Sequence, residues 1–261
     1  MPQITTKRDT RFKQTPERDL FADVFIPSAV RRERAVVICV HGGVWNRGER
    51  SFFDDRCRAL AERGFPALTI DYRLSDEATY PAALNDVKSA VRWIRSEQPF
   101  GTSPRRVVLC GHSAGAHLAA LTATTAPSEP TTPDDDYDDA ETTVDGLVCF
   151  SGPYDLLGAK EDGETADFMG GSPTEIPERY REASPRERVT SSHPPTLLYL
   201  GEDDEWITMR ETRAYRDVLD IADVRVDLFT PSGGHFFFTE KPWFDRTVNQ
   251  TVSLIESTQP R

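Results

Sequence analysis

Lysine is nearly missing from this 261-residue sequence: five lysines stand beside 26 arginines, and acidic side chains outnumber basic ones 43 to 31. The formal charge of −12 at pH 7 excludes nucleic acid as an expected partner, because phosphate binding needs clustered cations. Long apolar runs are missing too. No stretch approaches the about 18 residues that a membrane-spanning helix requires, which excludes a span. The opening Met1-Pro2-Gln3-Ile4-Thr5-Thr6-Lys7-Arg8 has no apolar core of the kind a secretory leader carries, so a cytoplasmic setting is expected. Cysteine is sparse, at four. Cys39, Cys110 and Cys149 sit inside apolar runs and Cys57 in a helical stretch, and their spacing matches no metal motif. They read as small buried hydrophobes. Arginine-borne basicity beneath an acid surplus fits a salt-rich cytoplasm or an ordinary acidic protein from a GC-rich genome.

What is present is an alternation. Short apolar or β-branched runs predict strands at about 20–26, 35–41, 66–71, 106–111, 145–151, 196–201 and 225–230. Helix-period segments fall between them at about 51–63, 82–98, 113–125, 208–220 and 242–257. In the clearest, Leu84, Val87, Val91 and Ile94 share one face. Strand alternating with helix implies an α/β fold: one domain over 1–261, with a mostly parallel central sheet and helices on both faces. Two segments read as connections. Residues 126–145 hold the run Asp134-Asp135-Asp136-Tyr137-Asp138-Asp139, which mimics the start of a calcium loop. The required glycine and final glutamate are replaced by Asp139 and Asp145, so a solvated acidic loop is expected. Residues 153–195, rich in proline and charge, suggest a connection draped over the sheet or part of a lid.

The chemistry-bearing stretch is Gly111-His112-Ser113-Ala114-Gly115, at the junction of the strand at 106–111 and the helix that follows. A serine on so sharp a turn needs neighbours without side chains, which Gly111 and Gly115 supply. The turn pushes the Ser113 hydroxyl out over the strand ends, at a helix start that favours developing negative charge. A serine hydroxyl needs a base, and there are five histidines. His112 and His117 belong to the turn and its helix, where they read as packing residues. His41 closes an early strand and His193 lies before two prolines. His235 follows Gly233-Gly234 after the last expected strand, where a loop can bring a base to the strand ends. The base in turn needs a carboxylate. Glu202-Asp203-Asp204-Glu205 leaves the choice open, and Asp155 is a further contender. His41-Gly42-Gly43-Val44-Trp45 could turn backbone amides toward a substrate oxygen. Trp45, Phe52, Phe53, Tyr154, Trp206 and Phe236 are aromatic candidates for lining a pocket, with core packing as the alternative for each.

Taken together these residues resemble the α/β-hydrolase superfamily over nearly the whole chain. Asp71-Tyr72-Arg73-Leu74 with Tyr80-Pro81-Ala82-Ala83-Leu84-Asn85-Asp86-Val87 is similar to the hormone-sensitive-lipase and feruloyl-esterase-like carboxylesterases. The His41–Trp45 and Gly111–Leu118 stretches are also similar to kynurenine formamidases. The resemblance implies a Ser113–His235–Asp204 triad, with oxyanion amides at Gly43, Val44 and Ala114. It implies no cofactor and no metal, and a small-molecule ester or amide as substrate. Val44 departs from the family pattern, standing where lipase-like relatives have a third glycine and formamidases commonly have tyrosine. With only about 40 residues before His41, an N-terminal cap is expected to be absent or reduced. Three functions follow as expectations: an esterase for small acyl or aromatic esters, an arylformamidase, or a non-catalytic binding protein on the same fold.

Overall fold

The computed structural model describes residues 3–31, 35–101, 103–124, 137 and 140–258. Its strands are β1 (Ile4–Gln14), β2 (Asp19–Pro27), β3 (Ala35–Val40), β4 (Ala67–Ile70), β5 (Arg106–His112), β6 (Gly146–Phe150), β7 (Thr196–Tyr199) and β8 (Val226–Phe229). They form one sheet in the order β1-β2-β4-β3-β5-β6-β7-β8. The β1–β2 and β2–β4 pairs are antiparallel, and all the others are parallel. Seven strands lie where their apolar runs predict them. The eighth, β1, went unpredicted for a physical reason. As an edge strand it is largely exposed, burying little beyond Phe12 and Lys13, so it carries no apolar run to read.

The helices are α1 (Asp54–Glu62), α2 (Ala82–Ser96), α3 (Ala114–Ala123), α4 (Glu164–Met169), α5 (Pro177–Glu182), α6 (Met209–Ile221) and α7 (Trp243–Ser257). Alternate residues of the central strands feed two cores. Val36, Ile38 and Val40 face Leu84, Val87 and Val91 of α2, with Leu118 of α3 and Leu219 of α6 in the same core. Val37 and Cys39 face the other way, toward Leu60 of α1 and Val248 and Ile255 of α7. Helices therefore cover both faces, which is why β3, β5 and β6 are apolar almost throughout. All four cysteines are buried free thiols, and burial pushes those of Cys39, Cys110 and Cys149 well up.

One buried charge cluster ties the edge strand to this core. Asp86 on α2 accepts Lys13 Nζ at 2.9 Å and Arg73 Nη2 at 2.8 Å on one oxygen. Its other oxygen accepts the Arg73 backbone N–H and Nε, both at 2.9 Å. The conserved shape of Asp86→Asn removes the counter-charge without removing volume. Breaking such a buried pair is expected to cost about 3 kcal/mol. A denaturant titration should show a lower midpoint at an unchanged slope, and a midpoint shift near zero would contradict the structural role given to Asp86.

The connection at 153–195 folds into α4, α5 and a 3₁₀ turn at Pro185–Arg188, anchored by buried Phe168, Met169 and Tyr180. The calcium-like run at 134–139 lies outside the described residues except for Tyr137. Asp145, at that pattern's last position, is buried, and its carboxylate accepts the Val107 N–H at 2.8 Å. Among the described residues no group of three or more His, Cys, Asp or Glu side chains could hold a metal ion. No described helix is long and apolar enough to cross a membrane.

Candidate active site

The C-terminal ends of the parallel strands carry the candidate residues, as expected of an α/β sheet. Ser113 stands between β5 and α3 with φ 52° and ψ −119°, a left-handed conformation that a serine adopts only under constraint. Its N–H donates to the Phe150 carbonyl at 2.8 Å. The turn is feasible because a Cβ on Gly115 would stand 2.1 Å from the Val40 carbonyl oxygen, and one on Gly111 would stand 2.3 Å from that of Gly115. No side chain fits at either position.

His235, in the loop after β8, donates Nδ1–H to Asp204 Oδ2 at 2.9 Å. That bond leaves the Nε2 lone pair without a partner among the described residues, on a ring that lines the same cavity as Ser113. Asp204 Oδ1 accepts the backbone N–H groups of Trp206 and Ile207 at 2.9 and 3.0 Å. Burial works against ionisation of Asp204, but the His235 bond, the two amides and the Ser151 hydroxyl outweigh it. The carboxyl is held down to about 2. The other acid candidates are committed elsewhere. Asp203 is exposed, and its N–H bonds the Gly233 carbonyl at 3.0 Å, pinning the acid loop to the histidine loop. Asp155 pairs with Arg186 at 2.6 Å and accepts the Leu157 N–H.

The Gly43–Trp45 loop leaves β3 through three positive-φ residues in succession, at 122°, 46° and 61°. Gly43 is obligatory, since a Cβ there would approach the Arg47 carbonyl oxygen to 2.0 Å. Among the described residues the Gly43 and Val44 amides have no hydrogen-bond partner, and the N–H of Ala114 opens α3, where helix geometry supplies none. A left-handed Val44–Trp45 pair costs energy that packing must offset. The Trp45 ring does so: it stacks on Phe168 at 4.7 Å and donates Nε1–H to His117 Nδ1 at 3.2 Å. An indole only donates, so His117 must carry its own proton on Nε2, which donates to the Ala183 carbonyl at 2.7 Å. His117 thus joins the Gly43–Trp45 loop, α3 and the 153–195 connection.

Two cavities meet at Ser113. One, of about 290 Å³, is lined by His41–Val44, Arg47–Glu49, Phe52, His112, Ser113, Trp206, His235 and Phe236. The other, of about 500 Å³, is lined by Val44, Trp45, Arg47, Ser113, Ala114, Trp206, Ile207, Glu211 and part of the 153–165 segment. Trp206 and Phe236 flank the His235 ring at centroid distances of 4.6 and 5.2 Å. Tyr154 requires correction. It is fully buried, stacked on Tyr215 of α6 at 4.2 Å, and it lines neither cavity. Trp45 is a core residue that only borders the second cavity, and Phe53 is likewise buried. Sequence reasoning missed His112 as a site residue. Its Nε2 bonds the His235 carbonyl oxygen at 3.2 Å, and its ring walls the first cavity against Phe52 at 5.5 Å. A residue preceding the serine could have been flagged by adjacency, but nothing in the pattern gives the direction of its ring. His193 is buried elsewhere, bonded to the Tyr215 hydroxyl at 3.0 Å.

Burial lowers three of these histidines: His112 to about 3, His117 to about 4, and His41 in the same direction. Their folded values lie below the unfolded value of about 6.5, so below that pH the unfolded chain binds more protons and stability falls. The loss continues until the folded values are reached. Each histidine adds about 1.4 kcal/mol per pH unit to the slope. Asp204, depressed instead, loses its contribution only as pH falls from about 4 toward about 2. Denaturant midpoints should therefore drop steadily between about pH 6 and pH 4. A flat profile over that interval would contradict the burial of these rings as neutral imidazoles.

An eight-stranded, mostly parallel sheet with a strained serine after β5, an acid after β7 and a histidine after β8 defines the α/β-hydrolase fold. Solved structures agree. A truncated form of a carbohydrate esterase from gut microbiota superposes with a TM-score of 0.84 at 22% identity, covering 97% of both chains. A thermophilic esterase from the planctomycete Thermogutta terrifontis superposes with a TM-score of 0.79 at 23% identity, covering 98% of this chain and 93% of that one. The chain belongs to the BD-FAE family, whose match runs over residues 22–219. Among curated relatives, the esterase LipQ of Mycobacterium tuberculosis is 30% identical over 232 residues, covering 85% of this chain and 55% of LipQ. The esterase LipC of the same organism is 32% identical over 213 residues, covering 77% and 53% respectively. The chain therefore spans about half the length of these relatives.

Proposed function

We propose that this protein is a serine hydrolase of small carboxylic esters, acting through an acyl-enzyme. The observation that carries the reading is the His235 ring, bonded to a buried ionised Asp204 on one nitrogen and free on the other in the cavity that Ser113 lines. Ser113 Oγ attacks the ester carbonyl as its proton passes to His235 Nε2. The carbonyl oxygen becomes an oxyanion held by the N–H groups of Gly43, Val44 and Ala114. Asp204 stabilises the imidazolium without taking its proton. When the tetrahedral adduct collapses, the C–O bond to the alcohol breaks and His235 returns the proton to the departing oxygen. Water then attacks the Ser113 ester by the same route, releasing the acid and regenerating the serine. The names of the relatives as esterases support the same chemistry.

The described residues read as one α/β unit whose 153–195 segment walls the site, with a small-molecule ester as its partner and no cofactor. A cytoplasmic setting belongs to the same reading and is supported by four buried thiols that form no disulfide. A hydrolysis panel tests the function. p-Nitrophenyl esters of increasing acyl length, feruloyl esters and N-formylkynurenine should rank with short acyl esters first. The two cavities are of a size for small ligands rather than long chains, and esters carry a better leaving group than amides. A kcat/KM for N-formylkynurenine well above that of the best ester would assign the site to formamide hydrolysis instead.

A further inference from the structure

The two cavities at Ser113 differ in chemistry, and only one of them touches the base. Ser113, Val44, Arg47 and Trp206 line both and so form the partition. His235 lines only the first cavity and Ala114 only the second, while the other proposed oxyanion amides lie at the boundary, Gly43 in the first and Val44 in both. This asymmetry orients an ester. The departing oxygen must reach His235 Nε2 to collect its proton, so the alcohol portion has to lie on the His235 side of the nucleophile. The acyl portion then extends past Ala114 into the other cavity.

We infer that the first cavity is the alcohol subsite and that it selects a benzyl-sized aromatic alcohol, while the second receives a short acyl group. This rests on the ester-hydrolase reading above. The first cavity's walls are ring faces. Phe52 stacks near His112 at 5.5 Å, and Phe236 stands 5.0 Å from His112 and 6.3 Å from Trp206. His112 turns its Nε2 to the His235 backbone, so it offers the cavity a ring face more than a polar atom. The charged groups here, Arg47 and Glu49, are exposed. Phe52 and Phe236 are also unusually exposed for phenylalanines, at 38% and 49%. Two large apolar side chains left open beside a catalytic base are explained if a substrate ring covers them. The second cavity offers no comparable set of ring walls: beside Trp45 and Trp206 it is lined by Leu156, Ile207 and charged side chains that are exposed, as Lys160 and Glu164 are, or already bonded, as Asp155 is to Arg186 and Glu211 to Thr208.

Benzyl acetate and methyl phenylacetate provide the test, because they are isomers carrying the same ring on opposite sides of the ester. Their alcohols are of nearly equal acidity, so the chemical step is matched and the comparison reads binding of the ring. Wild-type kcat/KM for benzyl acetate should exceed that for methyl phenylacetate by about 10- to 100-fold, the range expected from burying one aromatic ring. Phe236→Ala and Phe52→Ala, both at exposed positions, should each shrink that ratio severalfold. Methyl acetate, which has no ring, should respond much less. Equal rates for the two isomers, a preference for methyl phenylacetate, or a ratio indifferent to both substitutions would overturn the subsite assignment while leaving the ester-hydrolase reading intact. Failure to hydrolyse any ester, p-nitrophenyl acetate included, would overturn that reading itself.

Discussion

Ser113→Ala is expected to lower kcat on the best ester by about 10⁶, the scale on which loss of a triad nucleophile is felt, with the fold unchanged. The reason is local. Ser113 is the residue that β5, the Gly111–Gly115 approach and α3 together force into a left-handed turn beside the His235 ring. Alanine has the same backbone demands and removes one oxygen, so thermal stability should move little. It should rise if anything, as happens when polar atoms are taken from a strained functional position. Residual turnover should stay above the uncatalysed rate, because the amides of Gly43, Val44 and Ala114 still bind the carbonyl oxygen. Steady-state kinetics with active-site titration of the wild type measure the effect. Activity within tenfold of wild type would remove Ser113 from the chemistry.

Asp204→Asn is expected to cost about 10⁴ in kcat, while Asp203→Asn and Asp155→Asn cost less than about tenfold. An amide at position 204 can offer its NH₂ to His235 Nδ1 and stabilise the tautomer whose proton sits on Nε2. The base then faces Ser113 without a lone pair to accept the proton. The exposed Asp203 touches the site only through its backbone, and Asp155 serves Arg186. Because the Asp204 carboxyl is held down to about 2, it stays ionised throughout the useful pH range. The acid limb of the wild-type pH–rate profile above about pH 4 should accordingly contain no inflection from Asp204. Equal losses for all three asparagine variants would show that the 203–204 loop acts as a diffuse field and not through one hydrogen bond.

Much of this architecture was readable from residue order, and the unreadable parts share a cause. β3, β5 and β6 announce themselves because burial on both faces leaves polar residues only at the two ends of β5, Arg106 and His112. β1 does not, because Thr5, Lys7, Asp9 and Arg11 belong to a strand with one side in water. That Ser113 and His235 would line one cavity was legible from their flanking glycines and their places after strands. Asp204 could be separated from Asp203 only by resemblance, since what selects it is tertiary. Backbone bonds from Glu202 to Pro231 and from Asp203 to Gly233 fix the register of one loop against the other. Aromatic residues were least legible. Tyr154 and Trp206 both follow strands, yet Tyr215 takes up the first ring while none of the described residues covers most of the second, which is 59% exposed. Composition gives the ring, and packing alone decides whether it meets substrate or core.

The most direct test of the central claim is covalent. Incubation with a fluorophosphonate, followed by intact-mass and peptide analysis, asks whether one serine in the protein behaves as an activated nucleophile. A single stoichiometric adduct on Ser113 is expected, lost in Ser113→Ala and strongly slowed in Asp204→Asn. No adduct on catalytically tested protein, or an adduct on another serine that persists in Ser113→Ala, would contradict the assignment of Ser113, His235 and Asp204 as the site of ester hydrolysis.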